Sequence, residues 1–151
     1  MERIILDTNV LIDGIQDENS HAFRIINLCL EGELQPIISH QIRKEYELIV
    51  SQLITDDEYL TLLDEYYTIA ENIHVRTRKK IVEEDDEDNK FVQTAIDGKV
   101  KHIISSDRHL LDIGLYNGIY IVTPKEFWNK RIGTQETEEE FQEWAQNIGI
   151  R

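Results

Sequence analysis

A single cysteine, Cys29, rules out an internal disulfide. It lies in the apolar stretch Ile25-Ile26-Asn27-Leu28-Cys29-Leu30 and reads as a small core residue, a usage that suits a reducing cytoplasm. No apolar run approaches the ~18 residues that a membrane span requires, and no basic segment followed by an apolar one opens the chain. The expectation is a soluble, cytoplasmic protein without a membrane partner. Neither a Pro/Gly/Ser-rich linker nor an internal repeat divides the 151 residues, so one domain is expected, able to bury ~68–70% of its unfolded surface. Basic residues are also scarce, 16 Lys and Arg against 30 Asp and Glu, for a formal net charge of -14. That balance argues against non-specific duplex DNA binding, which relies on many phosphate contacts. It leaves a nuclease open, because bound divalent ions would cancel negative charge locally. The remaining basic groups, at Arg43-Lys44, Arg76 to Lys80, Lys99, Lys101 and Lys130-Arg131, are most simply a solvated face.

Short apolar runs at residues 3–6, 36–39, 73–75, 102–105 and 119–123 read as five buried strands. Helical patterns separate them. Ser20 caps a segment running to Leu30 and ending at Gly32. Ser39 caps a helix with the stripe Ile42, Tyr46, Ile49 and Leu53. Thr55-Asp56-Asp57-Glu58 is a capping box, and Thr123-Pro124-Lys125-Glu126 repeats the device before Phe127-Trp128. Strands alternating with helices predict right-handed crossovers and a three-layer α/β/α sandwich around a five-stranded parallel sheet. In such sheets ligands bind beyond the carboxyl ends of the strands, where strand order reverses.

Four acids stand at strand ends or on the buried faces of helices. Asp7 closes Arg3-Ile4-Ile5-Leu6 with no Lys or Arg beside it. Glu45 lies one position from the apolar stripe of its helix. Asp88 precedes Phe91, Val92 and Ala95 at i+3, i+4 and i+7, which places it on the buried face at its helix start. Asp107 ends Ile103-Ile104-Ser105-Ser106. A carboxylate beside a core needs a partner, and several of them without a Cys/His cluster describe a hard-ion site of the Mg²⁺ or Mn²⁺ kind. Each acid alone has a plainer role: Asp7 as an Asx-turn or N-cap residue, Glu45 as a boundary residue pairing with Arg43 or another surface cation, and Asp88 as a helix cap. Within the acidic run Glu83 to Asp88, Asp85 is the candidate outer-shell ligand. Ser105 or Ser106 could orient water at the ion, and His109 is expected to be structural or to face solvent.

Taken together and in order, these motifs resemble the PIN-domain nucleases. The likeness runs from Arg3 to about Trp128: a strand then Asp7-Thr8-Asn9-Val10-Leu11-Ile12, a helix with Glu45, Asp88-Asn89-Lys90-Phe91 opening a helix, a strand then Ser105-Ser106-Asp107-Arg108-His109-Leu110-Leu111, and Thr-Pro-Lys-Glu-Phe near the end. It is greatest to prokaryotic PIN-domain toxins of toxin–antitoxin modules. The resemblance implies a Mg²⁺- or Mn²⁺-dependent endoribonuclease with one or two ions, acting on single-stranded or structured RNA, often homodimeric and often silenced by an antitoxin protein. It also implies that Asp7, Glu45, Asp88 and Asp107 form the catalytic, metal-binding quartet, supported by Asn9 and Ser105. Where many relatives carry a further acid, this chain has His109, which implies a weakly held second ion.

The chemistry such ions support is in-line attack of activated water on phosphorus, with a second ion ~3.5–4 Å away steadying the leaving oxygen. A dehalogenase-type phosphatase would need a second Asp where Asn9 stands, and a receiver domain a phosphoacceptor Asp that Ile73 to Thr77 does not offer. The remaining alternative is a non-catalytic PIN-like scaffold for RNA or protein binding. The nuclease domain is expected over residues 1–132. Residues 133–151 are expected to form an acidic amphipathic helix, with Phe141, Trp144, Ala145 and Ile148 on one face, packed on the same domain or a partner.

Overall fold

Every strand expected from an apolar run forms, and the pairing between strands explains where each one ends. The computed structural model describes residues 1–78 and 88–133; Asp85 and the extension beyond Gly133 lie outside the described residues. The elements are β1 (Glu2–Leu6), α1 (Thr8–Gln16), α2 (His21–Leu30), β2 (Leu34–Ser39), α3 (His40–Leu53), α4 (Asp57–Ile69), β3 (Glu71–Ile73), α5 (Asn89–Gly98), β4 (His102–Ile104), α6 (Arg108–Leu111), β5 (Leu115–Tyr116) and β6 (Ile119–Val122). A further helix, α7, covers 124–133.

The sheet order is β3-β2-β1-β4-β6-β5. All neighbours are parallel except β5 and β6. The result is the three-layer α/β sandwich, with a sixth strand added to the expected five. Tyr116-Asn117-Gly118-Ile119 makes that addition. Asn117 and Gly118 both have positive φ, 47° and 81°, the backbone of a type I′ hairpin turn, which folds Leu115–Tyr116 back onto β6. β3 lies two residues earlier than the expected 73–75. Its partner β2 ends at Ser39, opposite Ile73, and Ser39 turns away to start α3, so the ladder has nothing further to pair with.

The central strands are buried on both faces, as parallel strands between helical layers must be: Ile4, Ile5, Leu6, Ile37, Ile38, Ile103 and Ile104 are all at most 1% exposed. Their burial holds the strand ends at fixed positions. Caps set the helix starts. Ser20 Oγ accepts from Phe23 N at 3.0 Å and Ser39 Oγ from Ile42 N at 3.4 Å. Asp56, rather than Thr55, caps α4, accepting from Glu58 N at 2.9 Å. Along α3 the buried positions are Ile42, Tyr46 and Val50, spaced by four, and Leu53 is left 58% exposed. Cys29 is buried in α2.

The chain runs from β1 outward to β2 and β3, then returns to place β4 on the other side of β1. Strand order therefore reverses between β1 and β4. The residues that follow those two strands are the ones that can face a shared crevice.

Candidate metal centre

Asp7 leaves β1 at this reversal. Its backbone N–H donates to Ile104 O of β4 at 2.9 Å, which ties the two strand ends together. It occupies the N-cap position of α1, but its side chain makes no capping bond. Instead Oδ2 accepts from Ser105 Oγ at 2.8 Å, and Ser105 Oγ accepts in turn from Asp107 N at 2.9 Å. One fully buried hydroxyl thus joins the two acids that end β1 and follow β4. Tyr46 supports the same corner, its hydroxyl donating to Leu6 O.

Asp7 is 5% exposed. Burial pushes its carboxyl up to about 6; the Ser105 hydrogen bond opposes the rise, and the negative charges of Asp107 and Glu45 add to it. Those two acids are therefore its electrostatic neighbours. Asp88, 6% exposed, opens α5 and likewise makes no side-chain capping bond. Capping explains neither Asp7 nor Asp88. Asp107 does cap α6, accepting from His109 N at 2.8 Å, and remains partly exposed.

Ligand atoms of Asp88, Asp107 and His109 all lie within 4.8 Å of one another. His109 is exposed, as a solvent-facing residue would be, yet its imidazole stands with the acids, Nδ1 at 4.0 Å from Asp107 Oδ1. Oxygen donors with one imidazole and no thiolate suit a hard divalent cation such as Mg²⁺ or Mn²⁺. Asp107 belongs both to this group and to the surroundings of Asp7, so acids from the ends of two strands and the start of α5 meet in one crevice.

Glu45 reaches the crevice from α3. It pairs not with Arg43, which bonds Glu47 at 2.9 Å, but with Lys90, whose Nζ lies 2.8 Å from Oε1. Its Oε2 accepts from Thr8 Oγ1. Asn9 is exposed on α1, and no hydrogen bond engages its side chain among the described residues. Sequence reasoning gave neither Thr8 nor Lys90 a part in the site. Lys90 did carry a signal: a cation in the first turn of a helix opposes the helix dipole and needs a nearby acid.

Along the same carboxyl edge, past β2 and β3, lies a cavity of about 430 Å³ lined by His40, Gln41, Asn72, His74 and Arg78 among others. Gln41 and Glu45 are one turn apart on one face of α3, so this cavity, which Ile73 and Val75 also line, opens about 6 Å along the helix from the acid crevice.

A family model for the PIN domain matches residues 3–109, which include all four acids. The chain belongs to the PIN-domain family. Among curated proteins, this PIN protein is similar to an uncharacterized protein of Methanocaldococcus jannaschii, 27% identical over 139 residues covering 83% of this chain and 88% of the relative. Among solved structures, it is similar in fold to VapBC2 from Rickettsia felis, crystallised with a DNA fragment from its promoter. The TM-score is 0.55 at 14% identity, covering 79% of this PIN chain and 96% of that one.

Proposed function

We propose that this PIN protein is a Mg²⁺- or Mn²⁺-dependent endoribonuclease that hydrolyses single-stranded RNA, and that it is the toxin of a toxin–antitoxin pair. The observation that carries the reading is the convergence of Asp7, Asp88 and Asp107 at the strand-order reversal, two of them buried beyond any capping role. Asp7, Asp88 and Asp107 would hold the ion, with His109 in reach, Ser105 orienting Asp7, and Glu45 at the rim. The ion, when bound, supplies water activation and neutralisation of charge at phosphorus. Among the described residues, the chain's own contribution is to aim the carboxylates into one crevice, and a bound cation would favour their ionised forms, so that no protein nucleophile is needed.

RNA is favoured over duplex DNA by the charge of -14 and by the adjoining cavity, whose imidazoles and guanidinium suit splayed bases and a flanking phosphate. The Rickettsia felis protein of like fold was captured as a VapBC2 assembly, which supports an antitoxin partner here. A homodimer accompanies the same reading.

Purified protein should cleave a labelled oligoribonucleotide, stop in EDTA and resume with Mn²⁺ or Mg²⁺. Asp7→Asn and Asp88→Asn should each lower the rate by at least about 100-fold, the scale expected when a group that stabilises the transition state is removed. Wild-type rates in both variants would overturn the assignment.

A further inference from the structure

Lys90 stands where a lysine is disfavoured. It is in the first turn of α5, whose N-terminal dipole opposes a cation, and its side chain is only 12% exposed. Glu45 lies 2.8 Å from its ammonium and is fixed from the other side by Thr8. Glu45 has thus already gained a positive partner from the chain itself. The ligand-atom cluster of Asp88, Asp107 and His109, by contrast, does not include Glu45.

We propose that the acidic crevice takes a single divalent cation, on its Asp88–Asp107 side, and that the Lys90 ammonium stands beside Glu45 in place of a second. The inference rests on the metal-dependent reading above and specifies its stoichiometry. In two-ion sites the ions lie ~3.5–4 Å apart and share carboxylates. A second ion bound at ~2.1 Å to the Glu45 oxygen that Lys90 holds, Oε1, would sit no farther than about 5 Å from Lys90 Nζ, with two like charges facing each other inside a half-buried site. It would have to displace the ammonium from its carboxylate. Lys90 also offers what the second ion otherwise supplies near the phosphate, a compact positive charge with several donors. Its pairing to Glu45 is therefore a charge-neutralising device, and Glu45 is a positioning residue for Lys90 rather than a ligand of the bound ion.

Calorimetric titration of Mn²⁺ into the full chain tests this, with manganese EPR as a second count of bound ions. Wild type should bind one ion per chain. Lys90→Gln should bind two, Lys90→Arg one, and Glu45→Gln one with affinity within about threefold of wild type. The Lys90→Gln, Glu45→Gln double variant should return to one, because the second ion then lacks its carboxylate. Circular dichroism confirms folding of each variant, and Lys90→Met replaces Lys90→Gln should that one fail to fold. Two ions in wild type, one ion in a folded Lys90→Gln or Lys90→Met, or loss of the ion in Glu45→Gln would overturn the proposal while leaving metal-dependent cleavage standing. No ion bound to wild type at all would sink both.

Discussion

The position of Asp7 costs the fold stability. Its carboxyl titrates near 6 in the folded chain because burial, and then the charges of Asp107 and Glu45, disfavour ionisation, and near 3.8 when unfolded. The folded state therefore binds its proton more tightly than the unfolded state does. Stability is full below pH of about 4, falls as pH rises through about 6, and stays reduced above that, by roughly 2–3 kcal/mol for a shift of this size. Asp7→Asn removes the penalty. In EDTA the variant should melt above wild type at neutral pH, and the two should converge near pH 4. Melting curves across that range check it. A variant less stable than wild type at pH 7.5 would mean that the Ser105 hydrogen bond outweighs the desolvation of the charge. On the proposed function, the cost has a use: an ionised Asp7 beside Asp107 would attract a cation.

At the scale of elements, the crevice depends on how closely α1 and α2 approach, because α1 follows directly on Asp7 and carries Thr8 to Glu45. Gly14 permits that approach. A Cβ there would meet Ile26 Cδ1 at 2.6 Å and the backbone of α2 at Ala22 C and Phe23 N, both 3.0 Å. The Ile26 methyl could rotate away, but the backbone atoms cannot. Gly14→Ala should therefore lose about 1–3 kcal/mol through overpacking, although alanine is the better helix former. The thermal midpoint should fall by about 2–4 °C per kcal/mol. An unchanged midpoint would show that α2 can move outward freely. α5 is positioned differently: Thr94 Oγ1 donates to Ser39 Oγ at 2.9 Å, linking α5 to the start of α3 and fixing Lys90 opposite Glu45.

For the whole molecule, a charge of -14 means mutual repulsion that salt relieves. In EDTA, melting temperature should therefore rise with NaCl. RNA affinity should fall only shallowly with salt, since few Lys and Arg displace counterions from the strand. Fluorescence anisotropy across a salt series measures that slope. A steep one would reveal a concentrated basic path over the surface and shift attention to Arg76, Arg78 and Lys99. The extension beyond Gly133 enters at this scale too, since all four acids lie upstream of it.

Local patterning was sufficient for the strands, the caps at Ser20, Ser39 and Thr123, and the four acids as candidates, because burial with period two or 3.6 and capping are properties of neighbouring residues. The Asn117-Gly118 hairpin was not among the expected elements, although few dipeptides favour two successive positive φ angles. What sequence could not decide is who meets whom. Asp7 bonds Ser105 across 98 positions, and Glu45 pairs with Lys90 across 45, leaving Arg43 to Glu47. The two-residue shift of β3 likewise came from its partner's length, not from its own composition. Residue identities determined which groups needed partners once buried. Only the parallel sheet, by reversing its order between β1 and β4 and setting α3 against α5, decided which partners they received, because pairing energies act over a few ångströms of space and the chain brings distant residues that close only when folded.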